Sequence, residues 1–163
     1  MAQQQNILII EDNEAFSLLV THYLNKNLLN VRVFVENSGQ KAIESIKRLN
    51  PSIVVLDYFL ENNLSAEDVI NVIKSMPSQP KIILLSSLKE KEEIDKMMQL
   101  GVKAFIPKSN ESFYDLVKVI HELMPENGVE NPVRSSLRPY LLLSIFIAIL
   151  IFIALAYYLT QAG

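Results

Sequence analysis

Residues 53–60 read Ile-Val-Val-Leu-Asp-Tyr-Phe-Leu: four apolar residues, three of them β-branched, run straight into an aspartate. A short unbroken apolar run of this kind suits a strand buried on both faces, as in a parallel sheet. Outward from it the pattern returns. Asn6–Ile10 (NILII) ends in Glu11-Asp12, Lys81–Leu85 (KIILL) in Ser86-Ser87, and Ala104-Phe105-Ile106 in Pro107-Lys108. Val31–Val35 (VRVFV) is β-branched and aromatic, and reads as a further strand.

Between these runs the apolar period changes to that of a helix. Phe16, Leu19, Val20, Tyr23 and Leu24 share one face. Ser38 caps a segment with Ala42, Ile43, Ile46 and Leu49 that stops before Pro51. Val69, Ile70, Val72 and Ile73 precede Pro77; Ile94, Met97 and Met98 are expected to point inward, with Gly101 as the stop. Phe113, Leu116, Val117 and Ile120 make a fifth helix. Five β–α units in about 120 residues predict an α/β domain, a parallel sheet with helices on both faces. Right-handed crossovers favour the flavodoxin-like strand order 2-1-3-4-5.

The 163-residue chain is 50% hydrophobic and 20% charged, which excludes a disordered polyelectrolyte. It has no cysteine, so disulfides, thiolate metal sites and a cysteine nucleophile are excluded. A net charge of −3 argues against a nucleic-acid binder. The mean hydropathy of +0.21 has a local source. Pro139 to Gly163 contains no charged residue, and Tyr140–Leu159 is apolar except for Ser144. About 20 such residues cross a bilayer. Tyr140, Tyr157 and Tyr158 stand where interfacial aromatics fall. Residues 140–160 are therefore expected to form a single transmembrane helix. The start, MAQQQN, lacks the features of a cleavable signal. Arg134 and Arg138 precede the span and no charge follows it, so the N-terminal bulk is expected in the cytoplasm. Residues 126–139, with prolines, a glycine and two serines, read as a flexible linker after a domain at 1–125.

In open α/β sheets, ligands bind beyond the carboxyl ends of the strands. There the sequence places Glu11, Asp12, Asp57, Ser86 and Lys108. Crowded carboxylates repel unless a cation neutralises them, and an all-oxygen donor set suits Mg²⁺. A carboxylate beside a divalent cation and a lysine is suited to accept a phosphoryl group. Any one of these residues alone would read as a solvated loop or a helix cap.

On ILIIEDN, IVVLDYFL, IILLSS and GVKAFIPKS, residues 6–124 resemble the receiver domain of bacterial two-component response regulators, the CheY-like family. The resemblance implies that Asp12 holds Mg²⁺ directly and Glu11 through water. Asp57 and the backbone carbonyl of Phe59 would complete the protein's share of the metal shell. It further implies that Asp57 accepts phosphate from a histidine kinase or phosphotransfer protein. Ser86 and Lys108 would contact the phosphoryl group, and Phe105 would act as a switch aromatic coupled to Ser86. In the family the fourth helix, fifth strand and fifth helix form the output surface.

The chain departs from the common pattern at Glu61 and Ser65, where many receivers carry proline and glycine, and at Ser109, where proline commonly follows the lysine. Leu88 stands where polar residues often tune dephosphorylation, so a long-lived phosphoryl state is expected. His22 and His121 lack ligand spacing and read as surface residues; Lys89–Glu93 reads as a solvated helix face with i,i+4 pairs. Ser144 and Ala148 form a small-xxx-small pair in the span. The resulting expectation is a membrane-anchored receiver that signals through protein contacts and is no enzyme beyond its own phosphorylation and dephosphorylation. A non-phosphorylated adaptor and an aspartyl-phosphate phosphohydrolase are the rivals. The phosphohydrolase is disfavoured because Phe59 stands where such enzymes place a second aspartate.

Overall fold

The computed structural model describes residues 4–60 and 64–124. Strands and helices alternate: β1 (Gln5–Ile10), α1 (Glu14–Asn27), β2 (Val31–Glu36), α2 (Gly39–Leu49), β3 (Ile53–Leu56), α3 (Ala66–Lys74), β4 (Lys81–Ser86), α4 (Lys91–Gln99), β5 (Ala104–Pro107) and α5 (Ser112–Leu123). The sheet is parallel throughout, in the order β2-β1-β3-β4-β5. This is the expected flavodoxin-like α/β receiver architecture.

Because successive strand residues point to opposite faces, the apolar runs feed two cores. Leu8, Ile10, Val54, Leu56, Ile82 and Leu84 pack with α2, α3 and α4 through Ala42, Ile46, Val69, Ile70, Ile73 and Met97. Ile7, Ile9, Ile53, Val55, Ile83 and Leu85 pack on the other face with Val20 and Leu24 of α1 and Leu116 and Ile120 of α5. Burying each such side chain stabilises the fold by about 1.5–3 kcal/mol. All four residues of β3 are buried, whereas β2, at one edge, is only half covered.

Helix ends are set by local chemistry. The side chains of Asn13 and Ser38 accept hydrogen bonds from the first turns of α1 and α2. Ser65 and Asp68 close a reciprocal capping box on α3. At the end of α4, Gly101 takes φ +107°; its N–H bonds the Met98 carbonyl, and that of Val102 the Met97 carbonyl. This is a Schellman ending, which glycine adopts without the Cβ penalty. Gly39 is needed for a different reason: a Cβ there would lie 2.8 Å from Cβ of Leu64.

Two inward assignments from helical spacing are corrected. Leu19 is 58% exposed and Met98 39% exposed. In α1 the buried positions are Ser17, Val20 and Leu24, and in α4 Met97 alone. Each misplaced residue sits one step round the helix from a buried one, where the sheet no longer covers it. His121 is half-buried rather than on the surface. Of the charged run, Lys89 and Glu90 precede α4, and Lys91 pairs with Asp95 one turn on. Glu61, the linker at 126–139 and the span expected at 140–160 lie outside the described residues. Among the described residues no helix is long and apolar enough to cross a membrane.

Candidate functional site

The carboxyl ends of β1, β3, β4 and β5 meet where the strand order reverses direction around β1 and β3. β1 delivers Glu11 and Asp12, and β3 delivers Asp57, whose N–H is tied to the Ile10 carbonyl at 3.0 Å. One carboxylate oxygen from each of Glu11, Asp12 and Asp57 lies within 4.8 Å of the others. Lys108, just past β5, enters this group: its Nζ is 2.6 Å from Oδ2 of Asp57 and 2.7 Å from Oε2 of Glu11. The Lys108 N–H donates to the Ser86 carbonyl at 2.9 Å, so the ends of β4 and β5 are tied together. Glu11 and Asp57 are 3% and 5% exposed, so this is a charged cluster in a partly dry site.

The remaining sequence-derived residues surround it. Ser86 is fully buried, and its Oγ accepts from the Leu88 N–H at 3.4 Å. The Phe59 N–H donates to Oδ1 of Asp57 at 3.2 Å, while the Phe59 ring is exposed and packs edge-on against Tyr58. Phe105 is half-buried against the α2–α4 core and is in register with Leu84, two residues before Ser86 on the neighbouring strand. The Lys108–Ser109 bond is trans. Leu88 is buried in the same core. His22 is exposed on α1 and belongs to no acidic or metal-ligating group among the described residues.

Burial pushes the Glu11 carboxyl above its ordinary value, and the hydrogen bond and charge of Lys108 only partly offset this. Burial by itself would lower the Lys108 ammonium; hydrogen bonds and attraction from Asp57 and Glu11 outweigh it and hold the pKa above the usual lysine value. The lysine therefore stays charged at neutral pH.

Sequence reasoning missed several contributors. The Lys108 ammonium stands 4.5 Å from the centroid of the Phe16 ring, a cation–π contact. Phe16 in turn packs on Phe113, which also meets Tyr23. Phe16 read only as a core position of α1, and no linear spacing connects it to Lys108. The Asn13 N–H donates to Oε1 of Glu11 at 3.3 Å. Tyr58 donates to Oε2 of Glu93 at 3.0 Å, joining the loop after β3 to α4. Ser65, read as a departure in the loop after Asp57, is the N-cap of α3.

Three clustered carboxylates make an all-oxygen donor set able to hold a divalent metal. With an ammonium fixed beside two of them, the arrangement can neutralise an incoming anion while leaving a carboxylate to attack it.

Comparison with known proteins agrees with this geometry. The model of the response regulator receiver domain family matches residues 7–121. The response regulator protein VraR of Staphylococcus aureus is 26% identical over 127 residues, which are 77% of this chain and 59% of VraR. The chain thus spans about three fifths of the length of the curated relatives it matches. The BeF3-activated N-terminal receiver domain of Klebsiella pneumoniae RstA is 26% identical with a TM-score of 0.64, over 74% of this chain and 100% of that one. The phosphorylated cyanobacterial phytochrome response regulator RcpA is 25% identical with a TM-score of 0.64, over 73% of this chain and 92% of that one. Fold, strand-end cluster and family match agree: the chain belongs to the response regulator receiver domain family.

Proposed function

We propose that the domain accepts a phosphoryl group on Asp57 from a histidine kinase or phosphotransfer protein, and passes the signal on through protein contacts. One observation carries this reading: Lys108 Nζ lies 2.6 Å from Asp57 within a carboxylate cluster at the strand ends. In the step, an Asp57 oxygen forms a bond to phosphorus as the phosphorus–nitrogen bond of the donor phosphohistidine breaks, and the leaving imidazole takes a proton from solvent. Asp12, Asp57 and, through water, Glu11 would hold Mg²⁺, with the Phe59 carbonyl completing the protein's share of the shell. When bound, the cation supplies neutralising charge to the cluster and to the transferring group.

The chain's own groups do the rest. Lys108 keeps its charge and pairs with a phosphoryl oxygen. The Ser86 hydroxyl would contact the same group, and its shift would draw Phe105 inward, a two-state change that a partner can sense. Leu88, buried and apolar, presents no polar atom to orient an attacking water, which supports a long-lived phosphoryl state. Ser65, engaged as a helix cap, accounts for one departure from the family pattern without loss of the site.

In this reading residues 140–160 anchor the domain in the membrane with the receiver in the cytoplasm, and its action is confined to that surface. The length and charge-free composition of Tyr140–Leu159 support the anchor. The test is intact mass after treatment with a small phosphodonor and Mg²⁺. A single phosphoryl adduct that disappears in Asp57→Asn is expected. No adduct would favour an adaptor that keeps the fold only for contacts, and rapid repeated turnover would favour a phosphohydrolase. A chain cut after Pro125 should no longer sediment with membranes.

A further inference from the structure

The Lys108 ammonium meets two carboxylate oxygens, Oδ2 of Asp57 at 2.6 Å and Oε2 of Glu11 at 2.7 Å. Another of its contacts is of a different kind: it stands over the Phe16 ring, 4.5 Å from the centroid. We propose that Phe16 is a positioning residue for phosphoryl transfer. The face of its ring fixes where the ammonium stands, so that the cation is already aimed at a group arriving on Asp57. The proposal rests on the reading of Asp57 as a phosphoryl acceptor and adds to it a residue of α1.

The ring is placed by both its backbone and its neighbours. Phe16 lies in the first turn of α1, where its N–H donates to Oδ1 of Asn13 at 3.0 Å. The Asn13 N–H donates in turn to Oε1 of Glu11 at 3.3 Å. One residue thus ties the base of the ring to a carboxylate that shares Lys108 with it. The ring also packs on Phe113 of α5, with centroids 5.5 Å apart and planes inclined by 52°. Phe113 meets Tyr23, two turns further along α1, at 5.7 Å. Packing alone accounts for an apolar residue at position 16, since Phe16 borders the core between the sheet, α1 and α5. It does not account for a ring set beneath a charged lysine whose side chain is only 19% exposed. Cation–π attraction strengthens as water is excluded, so this location favours the contact.

The carboxylates and the ring differ in what the reaction does to them. Phosphoryl transfer turns an Asp57 oxygen into the bridging oxygen of an acyl phosphate. A divalent cation would compete with Lys108 for the oxygens of Glu11 and Asp57, because hard cations take oxygen ligands. It would not compete for a ring face. Of the three contacts, the one to Phe16 is therefore left unaltered by the chemistry. It keeps the ammonium beside Asp57 while a carboxylate bond is exchanged for one to a phosphoryl oxygen. Lysine carries its charge on a flexible four-carbon stem. Fixing that stem before the donor arrives removes the ordering from the barrier to transfer.

The test compares full-length chains: unaltered, Phe16→Leu, which keeps apolar bulk and loses the ring face, and Phe16→Tyr, which keeps the face. Each fold is checked by far-UV circular dichroism. Adduct formation with a small phosphodonor and Mg²⁺ is followed by intact mass over a range of donor concentrations. The saturated rate of Phe16→Leu should fall by about tenfold, because only the aim of the charge is lost. Its half-saturating donor concentration should stay within about twofold, since the charge that attracts the donor remains. Phe16→Tyr should stay within about twofold of the unaltered chain in both quantities. A second measurement needs neither metal nor donor: denaturant unfolding of the metal-free chains with and without Lys108→Met. Phe16→Leu should lower the folding equilibrium constant by roughly three- to thirtyfold more when Lys108 is present, the size of a cation–π contact. An equal unfolding penalty in the two backgrounds overturns the proposal. So does a loss in Phe16→Tyr as large as in Phe16→Leu, or a loss carried by the half-saturating concentration. The unaltered chain separates this failure from that of the reading beneath it. No adduct there removes phosphoryl transfer at Asp57 and the positioning role together. A normal adduct there, with Phe16→Leu equally fast, removes the positioning role alone.

Discussion

The two edges of one sheet are built from the same five strands, yet they are held by opposite kinds of interaction. At the starting edge polar groups are satisfied pairwise: Asn6 Nδ2 donates to the Leu49 carbonyl at 2.8 Å, and the Ser52 hydroxyl to the Gln5 side chain. At the carboxyl edge, Glu11, Asp12 and Asp57 crowd together and share Lys108 between two of them. The first arrangement serves stability. The second is electrostatically costly without a counterion, and such strain is the mark of a site shaped for a ligand. Substitutions at the carboxyl edge should therefore split in sign, while those at the starting edge should only destabilise.

The sharpest break of this contrast is Lys108→Met. It leaves buried like charges uncompensated, and chemical denaturation at neutral pH should show a loss of about 2–3 kcal/mol, reduced at acid pH as the carboxylates take up protons. A loss no greater at neutral than at acid pH would mean that the cluster is not under strain.

Glu11→Gln should move the other way. The folded state holds the Glu11 proton more tightly than the unfolded chain does. Its contribution is therefore complete below the ordinary carboxyl pKa and is lost as pH rises through the raised value. Ionising Glu11 in the folded state is therefore a net cost. Thermal melts near neutral pH should show a gain of about 1 kcal/mol, or a few degrees, that disappears in acid.

Asn6→Ala tests the starting edge. Loss of the bond to Leu49 should cost about 1 kcal/mol at every pH and leave the phosphoryl adduct unchanged.

The smallest effect belongs to His121, in the last turn of α5. Burial holds its pKa below the ordinary imidazole value. Its contribution is present above that ordinary value and is lost as pH falls through the depressed one. His121→Gln should accordingly flatten the weak acid slope of stability just below pH 6.5 and leave neutral stability nearly unchanged.

The strands were legible because a strand buried on both faces must be apolar at every position, and Ile53–Leu56 is buried throughout. The strand order followed from the alternation of elements and the handedness of crossovers. Helix faces were less legible. Leu19 and Met98 carry the same apolar signal as Val20 and Met97, and the difference lies in where the sheet ends beneath the helix. The site residues were legible as a set because each stands directly after a strand. Phe16 was not, since its contact with Lys108 spans α1 and the loop after β5.

By itself the sequence determined the five β–α units, the acidic cluster at their carboxyl ends and a charge-free run of bilayer length. Each is written in neighbouring residues, as apolar period, strand-end polarity or composition. Only the tertiary structure decided which carboxylates Lys108 joins, that Ser65 caps a helix, and that Phe16 lies against the Lys108 ammonium. These depend on side chains brought together from distant segments, and a parallel sheet makes the meeting places by aligning every strand start at one edge and every strand end at the other.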